Sequence, residues 1–170
     1  MKYRNEQGLL KESLEGYLYY DYELGQVINR IGRKGALEGR IAGEVLVSRG
    51  NKYRRICLNG VRILAHRAAW CLVHGKWPDG YVDHRNNDGL DNHIGNLRVV
   101  TTRQNNQNRR IHNEGRLCGA SWHKPAGRWV AQITVNGVVK YLGLYDTEME
   151  AHQVYLDAVR RLGEKPLEDL

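Results

Sequence analysis

The sequence predicts an α+β fold in two parts, and three observations carry that reading. First, Asn59-Gly60 and Asn136-Gly137 each sit between runs of strand-forming residues. An Asn-Gly pair supplies the two positive-φ positions that a type I′ hairpin turn needs. Second, Thr147 with Glu150 three residues on forms a capping box ahead of apolar residues at helical spacing. Third, residues 81–110 read as strand, long connection, strand and helix. With 170 residues, and domains of roughly 150 residues as the norm, the chain makes one domain or two small ones. The composition shift places a first domain over 1–110, a linker over 111–117 and a second domain over 118–170.

The elements follow in order. Leu9, Leu10 and Leu14 form a weak amphipathic stretch, read as a short helix ending in the tyrosine-rich GYLYYDYELG, with a turn at Gly25 and a strand in QVINRIG. Residues 32–50 are Gly-rich and basic and read as loop or hairpin. KYRRICL (52–58) and VRIL (61–64) flank the first Asn-Gly turn. AHRAAWCLVH (65–74) predicts a helix with Ala69, Leu72 and Val73 on one face and Gly75 as its stop. Trp77-Pro78-Asp79-Gly80 is a turn. YVDH (81–84) and LRVV (97–100) read as strands, and Thr101 with Gln104 caps a helix over about 102–110. ASWHK (120–124), RWVAQITV (128–135) and VVKYLGLY (138–145) predict a three-stranded antiparallel sheet. Trp129, Ala131, Ile133 and Val135 share its apolar face; Arg128, Val130, Gln132 and Thr134 share the other. The closing helix packs through Ala151, Val154, Tyr155, Ala158 and Leu162 and stops at Gly163.

Composition narrows the function. Lys+Arg is 26 against Asp+Glu 19, a formal charge of +7, which excludes an acidic solvating protein and favours a polyanionic partner. A hydrophobic content of 41 % excludes wholesale disorder. No apolar run is long enough to span a membrane, and the first twelve residues do not read as a signal peptide. Cys57, Cys71 and Cys118 are odd in number and far apart, so neither a disulfide framework nor a structural zinc is expected; each reads as a small buried hydrophobe. Three tracts without any acid (between Glu44 and Asp79, Asp91 and Glu114, and Glu114 and Asp146) hold the candidate phosphate contacts Arg54, Arg55, Arg67, Arg103 and Arg109. The acids gather in 146–170 and are expected to face away from the nucleic acid. No coiled-coil seam is present, which favours a monomer.

The chemistry lies in YVDHRNNDGLDNHIGNLRVVTTRQNNQN (81–108). Asp83 and His84 end one strand and Asn105 sits one turn into the helix. A carboxylate and an amide oxygen are hard ligands suited to Mg²⁺ or Mn²⁺, with water and phosphate oxygens completing the shell. A neutral histidine beside them can take a proton from water, the ordinary imidazole pKa being ~6.5.

Asp83-His84, then Asn96 in an Asn-Leu pair, then Asn105 resembles the HNH (ββα-metal) nucleases, in the branch with Asn for the last His. LAHRAAW (64–70) and GKWPDGYVDHRNND extend the likeness over roughly 17–110. That branch contains homing-type endonucleases of phages. The resemblance implies His84 as general base, Asp83 and Asn105 as ligands of one Mg²⁺ or Mn²⁺, and Asn96 as a residue that fixes the loop and orients His84. It implies double-stranded DNA as substrate and no small-molecule cofactor; with no targeting segment read in the sequence, the cytoplasm of a bacterial host is the expected location. GASWHKPAGRWVAQITVNGVVKYLGLYDTEMEAHQVYLDA is similar to the plant APETALA/ethylene-response-factor DNA-binding domain. That likeness places Ser121, His123, Gln132 and Thr134 against a DNA groove, with Lys124, Arg128 and Lys140 on phosphates.

Other residues read structurally. His66 packs beneath the site, His74 caps a helix, His93 braces its loop, and His112 and His152 lie on the surface. Trp70 and Trp129 belong to cores, while Trp122 is either core or edge. Two other classes fit the same charge pattern. One is a sequence-specific DNA-binding regulator with a non-catalytic nuclease fold; the other is an RNA-binding protein.

Overall fold

A computed structural model describes residues 11–48 and 50–170, with residues 11 and 109–114 described by their backbone only. Leu9, Leu10 and Arg49, and the side chains of Arg109 and His112, therefore lie outside the described residues. The fold mixes α and β: several small antiparallel sheets and, among the described residues, four α-helices. It divides into two compact units, one ending at Val99 and the other beginning at Val100.

In the first unit, α1 (Lys11–Glu15) precedes a hairpin of β1 (Leu18–Asp21) and β2 (Gln26–Asn29). The tyrosine-rich stretch is thus a strand and not the end of a helix. Its burial alternates, with Leu18 and Tyr20 buried and Tyr19 and Asp21 half-buried, as aromatic strands do. Asp21 closes the turn by accepting the Glu23 and Leu24 amides at 3.0 and 2.9 Å, and Gly25 takes the positive φ. The Gly-rich segment after β2 yields a third strand, β3 (Glu44–Ser48), at the edge of a sheet with β4 (Asn51–Leu58) and β5 (Val61–Leu64). Asn59 and Gly60 both have positive φ, as the hairpin requires.

Helix α2 (Ala65–His74) ends on left-handed Gly75, whose N–H donates to Cys71 O at 2.9 Å. Its buried face is Ala65, Ala68, Ala69 and Cys71 together with His66, while Leu72 and Val73 are only half-buried. Small residues let the helix sit close to Leu14, Leu18, Val27, Ile56, Leu58 and Ile63, the core of this unit. Cys57 is exposed, against expectation, because β4 alternates and Ile56 and Leu58 take the core side. Strands β6 (Tyr81–His84) and β7 (Leu97–Val100) pair with each other and carry the site.

In the second unit, Thr101 and Gln104 exchange capping-box bonds at 2.8 and 3.3 Å and open α3 (Thr102–Glu114), four residues longer than the sequence spacing indicates. This helix is polar and packs through amides. Gln104 donates to Lys165 O at 2.7 Å; Gln107 donates to Tyr155 Oη at 3.1 Å and accepts from Leu167 N at 3.0 Å. Those bonds tie α3 to the C-terminal residues, and the division into compact units falls before it.

The sheet β8 (Ala120–His123), β9 (Arg128–Val135) and β10 (Val138–Tyr145) has β9 in the middle. α4 (Glu148–Arg161) covers one face, through Ala151, Tyr155, Leu156 and Val159 against Ala120, Ala131 and Ile133. A Cβ on Gly119 would lie 2.1 Å from the Tyr155 ring, so glycine lets the chain enter β8 there. Two expectations fail on α4. Leu162 is exposed, and His152 is buried. His152 bonds Cys118 O, just before β8, at 2.7 Å, and the chain after the helix folds back to bring Glu168 to 2.9 Å. Trp122 is half exposed and meets Trp129 edge to face at 5.5 Å.

The Thr147–Glu150 box is formed, at 3.1 and 3.2 Å. Thr147→Ala is expected to cost about 1 kcal/mol in urea denaturation, with Thr147→Ser close to the parent.

Candidate functional site

The loop from β6 to β7 gets its shape from short polar side chains that bond locally. Asn96 accepts from Asn86 N at 3.0 Å and donates to Asn86 Oδ1 at 2.9 Å and Asp91 O at 2.8 Å. Asn86 donates to Asp91 at 2.7 Å, and Asp88 accepts from Leu90 N at 3.0 Å. A Cβ on Gly89 would fall 2.2 Å from Lys52 O and 2.7 Å from the Tyr53 ring, so the loop lies directly on β4. Asn96 thus braces the loop.

The residue bonded to the His84 ring is Asn92: Nε2 and Oδ1 are 3.1 Å apart. His84 is 4 % exposed. His66 meets it edge-on, at 4.9 Å and 90°, and Tyr53 tilts toward it at 6.3 Å. His66 packs beneath the site as expected; it is 5 % exposed, and its Nδ1 has no hydrogen-bond partner. Burial holds the His66 imidazole well below its ordinary pKa, and the charges of His84 and Arg67 push the same way.

Asn92 is itself fully buried. Its Nδ2 donates to Gln26 Oε1 at 3.2 Å, and Gln26 Nε2 donates to Leu90 O at 2.8 Å. Its carbonyl accepts from Tyr20 Oη at 3.0 Å, and that hydroxyl accepts from Ile94 N at 2.9 Å. Burial raises the Tyr20 pKa. Nothing in the sequence ties Gln26 or Tyr20 to residue 92. Only the pairing of distant segments does.

Asp83, before His84, accepts both Arg98 Nε (3.1 Å) and Nη2 (3.0 Å) on Oδ2. The two side chains are 12 % and 14 % exposed. Arg98 carries an opposite charge on the paired strand, a signal present in the sequence and unread there. Asn105 is on α3 in the second unit, half-buried, with its N–H on Thr101 O at 2.9 Å. Among the described residues, no group of three His, Cys, Asp or Glu side chains converges as a metal cage would. The donor pair read from the sequence, one carboxylate and one amide oxygen, has the hard chemistry of a water-rich Mg²⁺ site and not of a zinc cage.

Several expected phosphate contacts are engaged within the protein. Arg67 donates to Gly80 O (2.8 Å) and Pro78 O (3.4 Å), clamping the turn before β6. Arg54 donates to Gly43 O at 3.0 Å, Arg55 pairs with Glu44, and Arg103 pairs with Glu164 at 2.7 Å. Arg128 pairs with Asp146 at 2.8 Å. The register places Ser121, His123, Arg128, Gln132 and Thr134 on one sheet face, with Val139 opposite Thr134 and Tyr141 opposite Gln132. Tyr141, 64 % exposed on that face, was missed by the sequence reading. Lys124 lies in the turn before β9, exposed. Lys140, opposite Ile133, lies on the other face and is exposed.

Residues 64–107 match the family model described as HNH endonuclease, and the matched stretch contains Asp83, His84, Asn92, Asn96 and Asn105. A 75-residue stretch is 31 % identical to Protein 3.8 of Escherichia phage T7, covering 42 % of this chain and 62 % of that protein. The chain thus spans somewhat less than two thirds of the length of this curated relative. No solved structure matches the chain. No helix among the described residues is long and apolar enough to cross a membrane.

Two outcomes are expected. Arg98→Leu removes the ion-pair partner of a mostly buried carboxylate, and urea denaturation should show a loss of about 3 kcal/mol. His66 stays neutral in the fold but protonates in the unfolded chain below about pH 6.5, so the unfolded state binds the extra proton. Stability contributed by His66 therefore falls on acidification, by at most about 1.4 kcal/mol per pH unit. Melting curves from neutral to mildly acid pH should show His66→Leu with a flatter slope than the parent.

Proposed function

We propose that this protein is a metal-dependent HNH endonuclease of the homing type that hydrolyses phosphodiester bonds in double-stranded DNA. The observation that carries the reading is the match of residues 64–107 to the HNH endonuclease family, across a strand that ends in Asp83 and a buried, hydrogen-bonded His84. His84 takes the proton from a water as its oxygen attacks phosphorus in line; the bond from phosphorus to the 3′ oxygen breaks, and that oxygen is protonated from solvent. Asp83 and Asn105 are the residues that would hold a Mg²⁺ or Mn²⁺. Bound there, the ion supplies positive charge to the phosphate oxygens and to the leaving oxygen. Arg98 offsets the charge of Asp83 and keeps it in place, and Asn96 keeps the loop in shape.

Residues 118–170 act in this reading as a DNA-binding module of the APETALA/ethylene-response-factor kind. Ser121, His123, Gln132 and Thr134 face the groove, and Lys124 and Arg128 flank it on phosphates; Lys140, on the other face of the sheet, drops out of this set. The nuclease part, over 1–110, then includes the start of α3, and the protein works as a monomer in the cytoplasm of a phage-infected bacterium. The ion pair on Asp83 favours a second reading, a DNA-binding regulator without cleavage.

Supercoiled plasmid and phage genomic DNA decide between them. With Mg²⁺ or Mn²⁺ the protein is expected to produce nicked or linear DNA, EDTA to abolish it, and His84→Ala to cost about a hundredfold or more. A His84→Ala protein as active as the parent sinks the mechanism, and tight binding to both DNAs without cleavage supports the regulator. If six or more phosphates are contacted, affinity should drop by ~10³–10⁵ between about 50 and 200 mM salt.

A further inference from the structure

We infer that Gln26 and Asn92 are positioning residues that lock His84 as its Nε2–H tautomer, leaving the lone pair on Nδ1 as its basic atom. The Leu90 carbonyl can accept but not donate, so the end of the Gln26 amide that faces it at 2.8 Å is the NH₂ group. The other end, Oε1, then faces Asn92 at 3.2 Å, and Asn92 must present its own NH₂ there. That turns Asn92 Oδ1 toward His84 Nε2 at 3.1 Å. An amide oxygen only accepts, so Nε2 carries the hydrogen.

Each amide has two orientations, and each link removes one of them. Reversing any link would set two donors or two acceptors against each other around Asn92, which is fully buried. The Tyr20 hydroxyl holds the Asn92 backbone in place from the same hairpin, by accepting from Ile94 N and donating to Asn92 O.

The consequence reaches beyond the matched segment. β1 and β2 lie wholly outside residues 64–107, yet they supply Tyr20 and Gln26. The N-terminal hairpin is thus part of the machinery that prepares the histidine. A general base must present a lone pair to water, and a mixture of tautomers leaves only a fraction of molecules ready. The effect on rate rests on the reading of His84 as base; the tautomer does not.

The test uses the full chain labelled with ¹⁵N-histidine, without metal, in alkaline buffer where imidazoles are neutral. Long-range ¹H–¹⁵N correlation spectra report which nitrogen is protonated, and loss of signals in His84→Gln assigns them. The parent should show Nε2–H alone. Gln26→Leu frees the Asn92 amide to flip and should give a mixture. Asn92→Asp should retain Nε2–H, because a carboxylate can only accept. On DNA, Gln26→Leu should lower kcat about tenfold or more with KM little changed. An Nδ1–H tautomer in the parent, which needs no variant to fold, overturns the inference. So does a pure Nε2–H signal in both Gln26→Leu and Asn92→Leu. Absence of DNA cleavage under every condition would remove the nuclease reading, while the spectra would still decide the tautomer.

Discussion

A buried imidazole keeps one orientation only if every polar atom around it is paired, and the hydrogen bond from His84 to Asn92 is where that requirement falls hardest. The rest of the first unit can be understood from it. The β6–β7 loop must return Asn92 beneath the ring, which demands the closed set of bonds among Asn86, Asp91 and Asn96. It must also lie on β4 with no side chain between, which demands Gly89. The β1–β2 hairpin must lie where Gln26 can reach both Asn92 and Leu90. Among the described residues of this unit, His66 Nδ1 is a buried side-chain nitrogen that remains without a hydrogen-bond partner. Its neutrality in the fold is the result of burial.

Charge follows a second logic. A net +7 suggests a protein covered in arginines waiting for phosphate. The structure divides them. Arg98 balances Asp83, Arg67 clamps a turn, and Arg103 fastens α3 to Glu164. A guanidinium offers five donors in a rigid fork, which suits it to bracing carbonyls and carboxylates as well as to nucleic acid. An acid-free tract in a sequence therefore overstates the charge available at a surface, because its partners come from other tracts. Glu164 lies sixty-one residues from Arg103.

Legibility in the sequence tracked the range of the interaction. Both Asn-Gly hairpins, the Thr147 and Thr101 boxes, the Gly75 stop and the three C-terminal strands rest on residues within a few positions of each other, and the structure has each. The pairing of Asp83 and His84 on one strand end was legible for the same reason. At β1 a few leucines at helical spacing mask the alternation of the tyrosines, and β3 lies hidden between glycines. Gln26, Tyr20 and Asn92 were invisible as a group, since sixty-six residues separate Gln26 from Asn92.

The histidines show why residue type and spacing could not settle the site alone. His66, His84 and His152 are all buried, and each for a different reason. His152 has both ring nitrogens bonded, to a carbonyl and to Glu168, so its full pairing marks a structural role. His66 has an unpartnered nitrogen beside another histidine, a cost borne by a packing wall. His84 alone has a neighbour whose orientation can be traced back, amide by amide, to a backbone carbonyl. A residue kept only for packing has no need of that directionality. A base, the role proposed for His84, has need of it, because its chemistry depends on which nitrogen carries the proton.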